Sequence, residues 1–153
     1  VPIHLVRHGH AGKRSLWEGD DRERPLSARG DAQAKWLADF LSEVPVARIV
    51  SSPYLRCVQT VEPLAVRLGL EVEATSVLAE GGDVDAALDL VTSLDPDHGV
   101  ACSHGDLIPH VLRRLKAAGM EVDGPLLDPK GSVWVLDTTK GRVHRGRYVP
   151  PGA

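Results

Sequence analysis

Three short polar clusters hold the residue types that handle phosphate, and each follows a short run that reads as a strand. Arg7-His8-Gly9 follows residues 3–6, Ser51 to Arg56 follows residues 48–50, and Ser103-His104-Gly105-Asp106 follows residues 100–102. Arginine presents a planar fork of donors that matches phosphate oxygens. Cations and N–H groups around a phosphoryl group in transfer lower the barrier by meeting the charge on its oxygens. A neutral histidine can itself attack phosphorus through one ring nitrogen, because its ordinary pKa of about 6.5 leaves it largely unprotonated near neutrality. The other nitrogen must then donate to a carbonyl or carboxylate, which fixes the tautomer; the sequence leaves that partner open. Gly9 permits close backbone approach. Ser52 and Pro53 have the types that cap and open a helix, whose free N–H groups favour an anion.

These clusters act together only if the fold brings them together. Residues 3–6, 48–50, 71–74 and 100–102 read as strands. Helical spacing appears in Ala32, Trp36, Phe40 and Leu41, with Pro45 as its stop. It appears again in Val58, Val61, Leu64, Ala65 and Leu68, where Pro63 predicts a kink or an early end. Val84, Ala87, Leu88 and Val91 form a third helical pattern capped by Asp83, and Ile108, Val111, Leu112 and Leu115 a fourth. The tail reads as a hairpin turning at residues 138–141. Strands alternating with helices predict an α/β three-layer sandwich: a mostly parallel central sheet with helices on both faces and a C-terminal hairpin. In such sheets ligands bind beyond the carboxyl ends of the strands. All three polar clusters fall at those ends, so they are expected to share one rim.

The whole chain, residues 1–153, reads as one domain. Its 42% hydrophobic and 25% charged content is that of an ordinary globular protein. A net charge of −3 argues against general nucleic-acid binding. No apolar run approaches the ~20 residues that span a bilayer, and no secretory signal stands at the start, so a cytoplasmic location is expected. Cys57 and Cys102 lie in apolar stretches outside any CxxC pair and read as buried small hydrophobes.

The motifs resemble the histidine phosphatase superfamily, which includes the cofactor-dependent phosphoglycerate mutases. Leu5-Val6-Arg7-His8-Gly9, Ser51-Ser52-Pro53-Tyr54-Leu55-Arg56 with Gln59-Thr60, and Cys102-Ser103-His104-Gly105 carry the resemblance, in order, over residues 3–134. The short length and the segment from Asp21 through Arg24-Pro25-Leu26 to Gly30 resemble SixA-like phosphohistidine phosphatases. Residues 51–65 and 103–109 resemble actinobacterial domains that stand alone or behind a Nudix domain of the MutT type.

The resemblance implies a metal-independent phosphatase with no cofactor, acting on a phosphate ester, anhydride or phosphohistidine. His8 is then the nucleophile, and Arg7, Arg56 and His104 bind the phosphoryl group. Glu80 is the expected proton donor, with Asp83 and Asp106 as rivals. Gly9, Lys13, Ser52 and Gly105 are expected at the substrate, and Lys13 and Arg14 could widen the positive pocket for further phosphates. The implied partners are a phosphorylated small molecule or a phosphohistidine protein, and a Nudix domain whose motif this chain lacks.

Three other classes compete. A metal hydrolase finds no HExxH or comparable ligand spacing among the 7 histidines. A cysteine hydrolase would pair Cys102 with His104 across the end of a strand. A non-catalytic phosphate-binding domain, cut from a larger protein, would be expected to lack one of Arg7, His8, Arg56 and His104, and all four are present.

Overall fold

The computed structural model describes residues 2–152. Its strands are β1 (Pro2–Arg7), β2 (Ile49–Ser51), β3 (Val72–Ala74), β4 (Val100–Ser103), β5 (Glu121–Val122), β6 (Val133–Thr139) and β7 (Arg142–Val149). Its α-helices are α1 (Ala28–Phe40), α2 (Leu55–Leu68), α3 (Val84–Thr92) and α4 (Ile108–Ala117). The strands form one seven-stranded sheet in the order β3-β2-β4-β1-β6-β7-β5. From β3 to β1 every pairing is parallel. β6 runs antiparallel to β1, and β6 and β7 make the expected hairpin. The two-residue β5 was not foreseen; it pairs with β7 at the sheet edge.

Alternation along the strands divides the core between the two faces. On one face Ile3, Leu5, Ala101 and Trp134 pack with Val91 of α3 and Ile108 and Leu112 of α4. On the other, Val6, Ile49, Cys102 and Val133 pack with Leu37 of α1 and Val61 and Leu64 of α2. The three-layer reading of the sequence therefore holds.

Local expectations fare unevenly. Asp83 caps α3 by accepting from the Ala86 N–H at 3.1 Å. Ser52 does not cap α2. That helix starts at Tyr54 without a side-chain cap, and Ser52 Oγ lies before it, 3.2 Å from the Tyr54 N–H. Pro63 does not stop α2, which continues to Leu68 and ends on left-handed Gly69. The missing Pro63 N–H costs one helical bond, while Val61, Leu64 and Ala65 keep the flanking turns anchored in the core. The buried face of α1 is Gln33, Ala34, Leu37 and Ala38, followed by Leu41. Ala32 and Phe40, which carry part of the helical pattern, point outward, and Phe40 stacks on half-buried Trp36 at 5.0 Å.

Candidate active site

The parallel registers explain why the three polar clusters meet. Arg7 at the end of β1 pairs with Ser103 of β4, and Ser51 at the end of β2 pairs with Cys102 of the same strand. The chain leaves all three strands at one rim. Arg56 joins from the first turn of α2, where it is 1% exposed. A cavity of about 630 Å³ opens there, walled by Arg7, His8, Arg56, His104 and Glu80.

His8 is buried on this wall. Its Nδ1 lies 2.8 Å from the Gly9 carbonyl oxygen. A carbonyl only accepts, so Nδ1 carries the proton and Nε2 holds the free lone pair. Burial pushes the His8 pKa down to about 2; the Gly9 bond opposes this, and the charges of Arg7, His104 and Arg56 add to it. The ring is therefore neutral at physiological pH.

The neighbouring groups are held by second partners. Arg7 Nη1 donates to the Asp128 carbonyl at 2.9 Å. Arg56 Nη1 donates to the Asp21 carbonyl at 2.8 Å, and its Nη2 lies 3.1 Å from the Asp21 carboxylate. His104 Nε2 is 2.8 Å from Ser52 Oγ and 3.5 Å from Cys57 Sγ. Among the described residues, Arg7 Nε, Arg56 Nε and His104 Nδ1 are buried without a protein partner. Buried polar atoms are nearly always satisfied, and here three such atoms gather on residues of one cavity.

Of the four residues expected at the substrate, Lys13 and Gly105 line the cavity, whereas Gly9 and Ser52 do not. Gly9 is buried and holds His8; its N–H donates to Thr60 Oγ1 at 2.9 Å. Ser52 is fully buried against His104. A Cβ on Gly105 would stand 2.6 Å from Arg7 Nη1, so only glycine lets that guanidinium lie flat. Of the three carboxylates considered as proton donors, Glu80 and Asp106 line the cavity and Asp83 does not. Glu80 is 2.6 Å from Arg14 and 3.8 Å from Arg56. Asp106 accepts from the Gly81 N–H at 2.7 Å.

Arg24 and Lys130 also line the cavity, unassigned by the sequence reading. Arg24 is buried and donates to the Ala11 carbonyl and to Asp21. Lys130 precedes β6. Because β6 starts beside the end of β1, with Val133 opposite Val6, the loop before it reaches the same rim. Recognising that antiparallel pairing in the sequence was the one route to Lys130. Burial lowers the Lys130 pKa, and the charges of Arg7, Arg24, Arg56 and Arg14 lower it further, which marks the site as strongly positive. Asp21 sits among Arg14, Arg24 and Arg56; burial pushes its pKa up, but the Arg24 bond and these charges bring it below the usual value. Cys102 is fully buried and off the cavity wall.

The structure thus places a neutral histidine with a free nitrogen among arginines at a strand end. A family model, the histidine phosphatase superfamily (branch 1), matches residues 3–86. The chain belongs to this superfamily. The 8-oxo-(d)GTP phosphatase of Mycolicibacterium smegmatis is 35% identical over 156 residues, covering 96% of this chain and 47% of that protein. The chain thus spans about half the length of that relative. The phosphohistidine phosphatase SixA of Escherichia coli is 29% identical over 122 residues, covering 75% of this chain and 74% of that one. Among solved structures, SixA complexed with tungstate superposes with a TM-score of 0.76 at 23% identity, covering 97% and 94% of the two chains. A mycobacterial glucosyl-3-phosphoglycerate phosphatase complexed with VO3 gives 0.71 at 22% identity, covering 99% of each chain. These solved structures share the fold.

Proposed function

We propose that this chain is a phosphatase that works through a phosphohistidine formed on His8. The observation that carries the reading is the 2.8 Å contact from His8 Nδ1 to the Gly9 carbonyl, which leaves Nε2 as a neutral nucleophile on the cavity wall. The Nε2 lone pair forms a bond to phosphorus while the bond to the leaving oxygen breaks and its electrons depart with that group. Arg7 and Arg56 meet the charge on the phosphoryl oxygens. We assign the His104 proton to Nδ1, with the Ser52 hydroxyl donating to Nε2 across 2.8 Å; a phosphoryl oxygen then gives Nδ1 the acceptor the protein does not. Water then attacks phosphorus, the N–P bond breaks, and its electron pair returns to His8. The water's proton leaves with inorganic phosphate or passes to a cavity carboxylate.

An alkoxide leaving group needs a proton. Glu80 is the carboxylate we assign to this step, because it lies 3.8 Å from Arg56 at the phosphate site; its 2.6 Å contact with Arg14 must open for it to carry a proton, and Asp106 is held instead by the Gly81 amide. A leaving phosphate or a protonated imidazole needs no such help. Glu80→Gln should therefore slow alkyl phosphates by about 10²-fold or more and acyl phosphates or phosphohistidine far less. Equal slowing of both classes removes Glu80 from the donor role.

The substrate is a phosphorylated small molecule or a phosphohistidine protein, in keeping with the two relatives named above. The M. smegmatis relative is about twice as long, which agrees with a further domain beside this one; the resemblance suggests a Nudix domain for that place.

The deciding experiment is intact-protein mass spectrometry after a rapid quench without acid, using an aryl phosphate and no added metal. Wild type should show a transient phosphoryl adduct with turnover, and His8→Ala should show neither. An adduct that persists in His8→Ala moves the nucleophile elsewhere. No adduct and no turnover on esters, anhydrides or phosphohistidine would leave a phosphate-binding domain.

A further inference from the structure

The phosphate cavity does not end at its cations. A second cleft of about 310 Å³ adjoins it and shares the wall formed by Gly12, Lys13 and Arg24. Beyond that shared wall the lining turns apolar, with Leu16, Trp17, Pro25 and Leu26. Leu16 is 78% exposed and Trp17 37% exposed, and they sit side by side on the loop between β1 and α1. Nothing in the core needs them there. The indole is nevertheless held, because Trp17 Nε1 donates to the Asp20 carbonyl at 2.9 Å. A short helical turn, Arg14–Leu16, immediately precedes it.

We infer that this cleft is a leaving-group subsite that takes a planar aromatic ring attached to the phosphate held at His8. The inference rests on the phosphatase reading above, which puts the phosphoryl group in the adjoining cavity. Three observations select an aromatic ring over other occupants. Gly12, Lys13 and Arg24 line both, so on that side the cleft is the next surface that a group joined to the bound phosphate meets. The cleft is at the lower end of the volumes that hold small molecules, so it fits a ring system rather than a folded partner's surface. An indole tethered at its nitrogen is already ordered and offers a fixed face, so a ring stacked on it loses little further entropy. Lys13 and Arg24 at the junction suit the anionic end of such a ligand.

The test separates the ring from the phosphate and needs no turnover. Affinities of methylphosphonate and naphthylmethylphosphonate are measured by calorimetry for wild type, Trp17→Ala, Trp17→Phe and Leu16→Ser. In wild type the ring should tighten binding about tenfold, the size expected for one aromatic stacking contact. The gain should fall towards one in Trp17→Ala, survive in large part in Trp17→Phe, and shrink in Leu16→Ser. The last change replaces an exposed side chain and so leaves folding intact. Methylphosphonate binding with no gain from the ring, or a gain untouched by Trp17→Ala, overturns the subsite while the phosphate site stands. If methylphosphonate does not bind either, the phosphate site itself is wrong and the subsite falls with it.

Discussion

At the scale of single residues, the proposed mechanism turns on the protonation of one ring. Burial holds His8 far below the ordinary histidine range, at about 2. A lowered pKa keeps the neutral, nucleophilic form at every pH above it, so His8 should impose no acid limb near 6.5. Followed by NMR, the His8 ring should keep the signals of the neutral Nδ1–H form between pH 8 and 5. A titration of those signals near 6.5 would mean that His8 behaves as an exposed histidine does. How much of this was legible follows from where each atom sits. Arg7, His8, Arg56 and His104 were readable because each falls at a fixed offset from a strand end or helix start. The Gly9 carbonyl, the tautomer's partner, was not readable although it is next in sequence, because any residue supplies a carbonyl and only the turn aims it. Ser52 was read as a cap, and its hydroxyl instead faces His104. Both uses suit the same residue type, and only the position of β4 decides between them.

At the scale of elements, the approach of α1 to the loop after β1 governs how firmly His8 is held. Ser27, the N-cap of α1, donates through both its N–H and its hydroxyl to the His10 carbonyl, at 2.9 and 3.0 Å. Gly30, one turn further on, sits so near that an added Cβ would stand 2.1 Å from that same oxygen. Gly30→Ala must therefore push the His8-Gly9-His10 loop away from the helix. The expected cost is about 1–3 kcal/mol, as for overpacking a close contact, seen as a lower urea midpoint, together with a fall in kcat. An unchanged midpoint and kcat would show that the loop yields freely. In the same helix the most evident apolar pattern is not the buried face. Ala32, Trp36 and Phe40 repeat every four residues and carry two aromatics, so they outweigh Ala34 and Ala38 in any count of hydrophobicity. Close packing needs small residues where backbones approach, and α1 lays Ala34, Leu37 and Ala38 inward. β5 escaped notice because two residues are too few to show a period.

At the scale of the whole molecule, acid should weaken the fold through its buried histidines. His4 on β1 is 3% exposed, and its pKa is lowered to about 4 by burial first and the Arg147 charge second. Between pH 6.5 and 4 the unfolded chain binds protons at His4 and His8 that the folded chain refuses, so stability declines as pH falls through this window. The midpoint of urea unfolding should drop from pH 7.5 to pH 5, and His4→Gln should lessen the drop. A midpoint that rises over that range would contradict the assignment.

The two outer strands of the sheet are β3, with three residues, and β5, with two. A sheet grows between molecules when an outer strand exposes a long row of free amide and carbonyl groups for another chain to pair with. So few residues at each border offer almost no such row. β5 covers only Arg145 and Gly146 of β7; the exposed Arg142 and Arg147 flank it on either side, and their charge penalises an incoming strand. The fold that gathers its chemistry on one rim thus closes its flanks against polymerisation.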